Sequence, residues 1–74
     1  MPRVLCFERR YGLVKVRVWC RRVKREQRYT VAVCRLFRNG DVWTESTRFG
    51  PGDLPVLKAA LAAAYDWIYS QPRN

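Results

Sequence analysis

Residues 13–22 decide the fold, and they read LVKVRVWCRR. Small apolar residues alternate there with cationic or aromatic ones. A period of two is typical of a β-strand, because successive side chains point to opposite faces of a sheet. One face of this strand can therefore be buried, and it carries Val14, Val16, Val18 and Cys20. The other face can work at the surface, and it carries Lys15, Arg17, Trp19 and Arg21.

Three further strands are predicted around this one, at about residues 3–9, 28–37 and 42–49, where β-forming residues are concentrated. Gly12 breaks the chain before the strand at 13–22, and the polar residues 23–27 connect that strand to the next. The pair Asn39-Gly40 favours a type I′ turn, whose two central positions need positive φ. Short connections of this kind predict an antiparallel sheet.

The facing of the third and fourth strands depends on which residues lie opposite each other. If Cys20 pairs with Cys34, the buried face also collects Ala32, Cys34, Leu36, Trp43 and Phe49. The open face then gains Tyr29, Val31, Val33, Arg35, Thr44, Ser46 and Arg48. A bulge after Gly40 would reverse the fourth strand, because a shift of one residue moves every side chain to the other face.

A C-terminal helix is predicted over residues 54–69. Asp53 suits the N-cap, Pro55 is tolerated in the first turn, and Pro72 follows the end. The helical period selects an apolar stripe to cover the aliphatic face of the sheet, namely Leu54, Leu57, Leu61, Ala64, Tyr65 and Ile68. We therefore predict one α+β domain over residues 1–74, a four-stranded antiparallel curved sheet in the order β-β-β-β-α, with the helix packed on one face.

The predicted helix is apolar on most of its sides. Between Ala59 and Ile68 the only charged residue is Asp66. A sheet covers one side of a helix, so a second copy of the helix is the simplest cover for the rest. This predicts a homodimer whose interface contains Ala59, Ala60, Ala63 and Trp67. The alternative is that the exposed alanines are there only as good helix formers.

Charge points to a polyanionic partner. Fifteen Lys and Arg against six Asp and Glu leave a net charge of +9 on 74 residues. A field of that sign favours nucleic acid first and an anionic membrane surface second. No apolar run reaches membrane-spanning length, so no membrane partner is predicted.

Catalytic and metal chemistry are not predicted. The chain has no histidine, and its three cysteines form no C-x-x-C pair, so a zinc site lacks ligands. The six acidic residues are scattered, with no visible base or oxyanion arrangement. We expect no enzyme activity, no metal or other cofactor and no small-molecule substrate. An odd cysteine count without a signal peptide favours reduced thiols in the cytoplasm, although a Cys20–Cys34 disulfide is an alternative.

The order of elements resembles a known family. Four antiparallel strands with a basic, aromatic face lead through Phe49-Gly50-Pro51-Gly52-Asp53-Leu54 into one helix. This is similar to the single-stranded-DNA-binding transcriptional coactivators (positive cofactor four and its small bacterial relatives), a branch of the Whirly-like fold. The resemblance runs from Val4 to Tyr69.

That resemblance implies a homodimer packed through the helices and strand edges, with a role in transcription regulation. Its curved sheets would bind single-stranded DNA in a sequence-tolerant way. Cations would contact phosphates, and aromatic rings would stack on bases. The positions it implies are Lys15, Arg17, Trp19 and Arg21 on the second strand, Tyr29 and Arg35 on the third, Arg48 on the fourth, and Arg22, Lys24, Arg25 and Arg28 on a basic hairpin arm. Such a protein would be cytoplasmic and associated with the nucleoid.

Two other functions stay open at this point. Aromatic-bearing sheets also bind RNA, so single-stranded RNA is an alternative ligand. A basic dimer that docks an acidic partner protein is the alternative from a different class, because it would use the same charge.

Overall fold

Four strands form one antiparallel sheet in chain order: β1 (Val4–Tyr11), β2 (Val14–Val23), β3 (Glu26–Asn39) and β4 (Val42–Ser46). A 3₁₀ turn (Pro51–Asp53) leads into the helix α1 (Leu54–Tyr69). These bounds come from a computed structural model, which describes residues 2–72. The predicted α+β order and the predicted helix bounds are confirmed, while residues 1, 73 and 74 of the predicted domain lie outside the described part.

Each of the three hairpins is closed by a two-residue turn. The closing pairs are Tyr11–Val14, Val23–Glu26 and Asn39–Val42. The first residue of each turn has positive φ: 59° at Gly12, 57° at Lys24 and 65° at Gly40. Glycine adopts this region without steric cost, whereas a lysine does not. The last turn therefore begins at Gly40, one residue later than the Asn39-Gly40 turn predicted from the sequence.

The turn at Lys24 reverses the predicted facing of β3 and β4. It makes Cys20 pair with Tyr29 instead of Cys34, which shifts the register by an odd number of residues. Tyr29, Val31, Val33 and Arg35 therefore lie on the side that faces α1, and Ala32, Cys34, Leu36 and Trp43 lie on the open side. The prediction that placed these two sets the other way round was wrong, because no glycine marks the turn.

The core is a row of three β2 valines against two alanines of the helix. Val14, Val16 and Val18 are at most 1% exposed, as are Ala60 and Ala64. Burying each valine side chain contributes roughly 1.5–3 kcal/mol. The alanines have no long side chain to separate the backbones, so α1 lies close against β2. This row confirms the buried face predicted for residues 13–22.

The helix is rotated relative to the predicted stripe. Leu57 and Ile68 pack on the core as predicted, but Leu54, Leu61 and Tyr65 are exposed. Trp67 instead faces the sheet, where its ring stacks 5.3 Å from Phe7 and meets Tyr29 edge-on at 6.0 Å. Ala60 is buried inside the chain, so its predicted place in a helix interface was wrong, and Trp67 is half-buried against the sheet. The predicted places of Ala59 and Ala63 in a dimer stay a prediction. Close packing favours small residues at the nearest approach and leaves larger ones at the flank.

Asp53 precedes the helix but does not cap it with its side chain. Its Oδ2 instead accepts a hydrogen bond from the Gly50 backbone N–H at 2.8 Å. The same oxygen lies 3.5 Å from Arg35 Nε, an ion pair without a hydrogen bond. Asp53 therefore ties the loop after β4 to the sheet.

Cys6 and Cys20 form a disulfide that joins β1 to β2. Cys6 lies where the register of β1 shifts between Leu5 and Phe7, so the extra residue turns its side chain toward Cys20. Cys34 is the remaining thiol and is buried. The expectations of three reduced thiols, or of a Cys20–Cys34 pair, were both wrong, since a bulge in an edge strand leaves no mark in the spacing of the cysteines.

No helix within residues 2–72 is long and apolar enough to cross a membrane.

The rotation of the helix predicts opposite effects at two neighbouring alanines. Ala60→Leu forces a larger side chain into a filled site and should lower the free energy of unfolding by about 1–3 kcal/mol. Ala59→Leu, on an exposed position, should stay within about 0.5 kcal/mol of the wild type. Urea denaturation measures both changes in the free energy of unfolding, provided that the slope of that free energy against urea concentration is the same in both variants. Equal losses, or a larger loss at Ala59, would contradict the observed facing.

The disulfide predicts a definite thiol count. Labelling of the unfolded, unreduced protein should modify one cysteine, Cys34, and labelling after reduction should modify all three. Cys20→Ser should lower the free energy of unfolding by roughly 2–3 kcal/mol, because the bridge closes a short loop of separation 14. Three labelled cysteines in unreduced protein purified under air would show that the bond does not form.

Candidate nucleic-acid interface

The open face of the sheet gathers cations from three strands. Lys15, Arg17 and Arg21 of β2 lie there as predicted. Pairing adds cations that were not predicted, Arg10 on β1 and Arg38 on β3, beside the predicted Arg28. In the sequence, the only sign of these two arginines is that each lies an even number of residues from other open-face positions of its own strand. Which residues those are depends on the length of each turn.

Arg17 occupies the centre of this face and is held by two carboxylates. Its Nε lies 2.7 Å from Glu8 Oε2 on β1, and its Nη2 lies 2.8 Å from Glu45 Oε2 on β4. Between Arg17 and Glu45 lies Cys34 of β3, which is buried and interacts with both. One guanidinium therefore connects the two edges of the sheet by charge-assisted hydrogen bonds.

The contacts between Arg17 and the two carboxylates shift the pKa values of the groups around them. Hydrogen bonds to Glu45 and Glu8 raise the pKa of Arg17, and the hydrogen bond from Arg17 lowers the pKa of Glu45. Burial raises the pKa of the Cys34 thiol, with a further contribution from the Glu45 carboxylate. A thiol held protonated is a poor nucleophile. The ion pairs of Arg17 with Glu8 and Glu45 therefore hold the strands together at the centre of the open face.

Trp19 lies on the open face, as predicted, but one side of its ring is covered. The Arg3 guanidinium sits 4.6 Å from the ring centroid in a cation–π contact. A base that stacked on this ring would have to use the other side or displace Arg3.

Trp43 is the more accessible tryptophan of this face. It lies opposite Arg38 at the β3–β4 end of the sheet and is 56% exposed. Sequence reasoning assigned it to the core, because the facing of β3 was reversed. An indole this exposed beside an arginine suits a base-stacking position.

Other predicted positions are separated from this face. Tyr29 packs against Trp67, and Arg35 pairs with Asp53, both on the helix side. The side chain of Arg22 also lies on the helix side, near the far end of the β2–β3 hairpin. Lys24 and Arg25 form the turn at the tip of that hairpin, and Arg48 is exposed in the loop after β4. The structure therefore brings together Lys15, Arg17, Trp19, Arg21 and Arg28 of the predicted set.

The two open-face tryptophans are far apart on the sheet, with cations between them and beyond Trp19. Trp19 pairs with Thr30 of β3 and Trp43 pairs with Arg38, so they are separated along the strands by about 26 Å. Lys15 and Arg17 lie between them on β2. Within residues 2–72 no three metal-binding side chains come together that could hold an ion.

Comparison with known proteins finds no matching family model, no matching curated protein and no matching solved structure.

The Arg17–Glu45 contact predicts how stability depends on pH. Since the folded pKa of Glu45 lies below its ordinary value of 4.5, the contact stabilises the fold above that pH. The contribution should be lost as the pH falls through the lower folded pKa. Urea midpoints measured from neutral pH downward should therefore fall more steeply in the wild type than in Glu45→Gln. Parallel profiles would show that the contact adds nothing to stability.

Proposed function

We propose that this protein binds single-stranded nucleic acid, DNA in the first place, on the open face of its sheet, without sequence preference. One observation carries the proposal. Two tryptophans, one of them 56% exposed, lie among cations on the face that the helix leaves open, with Lys15 and Arg17 between them. Stacking platforms combined with a positive track are the features that single-strand-binding proteins share.

The cations of this face have unequal parts in the proposal. Arg17 is already engaged by Glu8 and Glu45, so it acts mainly by holding the face in shape. Arg21 is exposed and Lys15 is half-buried, and both project from the same strand. Arg28 and Arg38 have looser ion pairs, at 3.3 Å with Glu26 and 3.6 Å with Asp41. These four supply the phosphate contacts.

Single strands fit this face better than a duplex. An unpaired strand can turn its bases onto the indole rings, whereas bases in a duplex are stacked on each other. Duplex readers usually place a helix in the major groove. The helix α1 lies on the opposite side of the sheet, and its exposed flank is apolar, with Leu61, Tyr65 and Tyr69.

The proposed ligand places the protein in the cytoplasm, associated with the nucleoid. In a compartment kept reducing, the Cys6–Cys20 pair would be held as two thiols.

Binding of short poly(dT) at low salt should quench tryptophan fluorescence, and Trp43→Ala should weaken binding by roughly 1–3 kcal/mol.

Arg21→Glu should weaken binding of poly(dT) more at low salt than at high salt. The reason is that each lost phosphate contact reduces the slope of log affinity against log salt concentration by about 0.7. Arg9→Glu is the matched control: it makes the same charge change on the helix side of β1. If Arg21→Glu and Arg9→Glu lost the same affinity for poly(dT), the open face would not be the binding surface.

Parallel titrations decide between the ligands. Tighter binding of poly(U) than of poly(dT) would replace DNA by RNA as the ligand. Absence of binding to either one at low salt would overturn the proposal and favour an acidic partner protein.

A further inference from the structure

The outer edge of β3 is unpaired over half its length. β3 has 14 residues and β4 only five, and β4 pairs with Arg35 to Asn39. Among residues 2–72 no strand lies beside residues 27–33 on that side. The vacant edge is about 23 Å long.

The backbone groups that point to this edge can be identified. The Leu36 N–H donates to the Leu13 carbonyl at 2.7 Å, so even-numbered residues of β3 bond to β2. In an antiparallel ladder the alternate residues turn their N–H and C=O the other way. Tyr29, Val31 and Val33 therefore present their backbone donors and acceptors to the vacant edge.

Apolar side chains accompany these backbone groups. Val31 is 42% exposed on the helix side of the edge. The flank of α1 that carries Leu61 and Tyr65 is exposed as well, at 43% and 62%. Ile68 and Tyr69, on that flank one or two turns later, line one cavity together with Tyr29. The end of this flank at Ile68 and Tyr69 therefore lies beside Tyr29, next to the vacant edge.

The middle of this edge, residues 29–33, carries no charged residue and no proline, and Arg28 beside it is the one charge within residues 27–33. Natural proteins protect free edges with lysine, proline, a bulge or a covering loop. Residues 29–34 read YTVAVC, without a charge or a proline, between Arg28 and Arg35. An acidic protein or a nucleic acid would find no cation within this run. An identical uncharged edge is what it complements.

This chain exposes more surface than a typical folded monomer of its mass, and the excess estimates the area that a second copy would cover. A folded monomer of 8.8 kDa exposes about 4,800 Å², whereas this chain exposes 5847 Å². Its radius of gyration is 14.1 Å, against about 11 Å for a compact domain of this length. The excess of roughly 1,000 Å² is close to the 800 Å² or so that each partner buries in a standard interface.

We propose that two copies of this chain join by antiparallel pairing of their β3 edges over residues 27–33, with the Leu61–Tyr65 flank of each helix covering the junction. A two-fold axis near Thr30 pairs Tyr29 of each copy with Val31 of the other, and every outward backbone group between residues 27 and 33 then finds a partner. The two sheets become one eight-stranded sheet. Because the axis is perpendicular to that sheet, both open faces lie on the same side and are continuous.

The mass in solution, measured by light scattering without nucleic acid over a dilution series, tests this proposal. The wild type should have twice the 8.8 kDa of one chain. Val31→Lys places like charges near the two-fold axis and should give the single-chain mass at the same concentrations. Val42→Lys is the matched control: it makes the same substitution at an exposed valine on the same side of the sheet, in β4 and outside residues 27–33, and should stay dimeric.

Amide hydrogen exchange of the wild type gives a second readout that needs no variant. The N–H groups of Tyr29, Val31 and Val33 should be protected at dimer concentrations and lose protection on dilution. Those of Thr30 and Ala32, bonded to β2, should stay protected throughout. A wild type of single-chain mass, or a dimer in which the outer amides exchange freely or Val31→Lys has no effect, would overturn the proposal. Since these measurements contain no nucleic acid, their result is independent of the proposed binding function.

Discussion

The packing of three β2 valines on two helix alanines is the interaction on which the rest of the structure depends. β2 pairs with β1 on one side and β3 on the other, so the strand that carries the core also aligns both neighbours. Since Val14, Val16 and Val18 face the helix, Lys15, Arg17 and Trp19 must face away from it. The location of the candidate interface therefore follows from the location of the core. Disturbing Val16 would disturb both.

A single guanidinium has a comparable role on the other face. Arg17 connects Glu8 of β1 to Glu45 of β4 across the whole width of the sheet. The cost is that the most central cation is neutralised by two carboxylates, which shifts the proposed phosphate contacts to Lys15, Arg21 and the β3 arginines. On this face, one cation holds the strands together, and other cations are available for a ligand.

The small size of the core explains why the edges and flanks matter. Five residues make up its buried cluster, and two of them are alanines. A chain of 74 residues buries a limited share of its surface on its own, so oligomerisation or covalent links commonly complete such domains. In the oxidised protein the Cys6–Cys20 bond secures one edge of the sheet. The unpaired half of β3 and the exposed flank of α1 lie at the other side, where the proposed second copy would cover them.

The sequence alone determined the strand order, the helix bounds and the two faces of β2, because alternation with a period of two and a helical period are local properties of the chain. It did not determine the facing of β3, which depends on a turn at Lys24 that no glycine marks. Nor did it determine the rotation of α1, since a helix apolar on most sides has no unique buried stripe. The Cys6–Cys20 bond depends on a bulge. These features follow from the folded chain, because each depends on contacts between residues distant in the sequence. One odd shift of register moved Tyr29 and Arg35 off the candidate interface and brought Trp43 onto it.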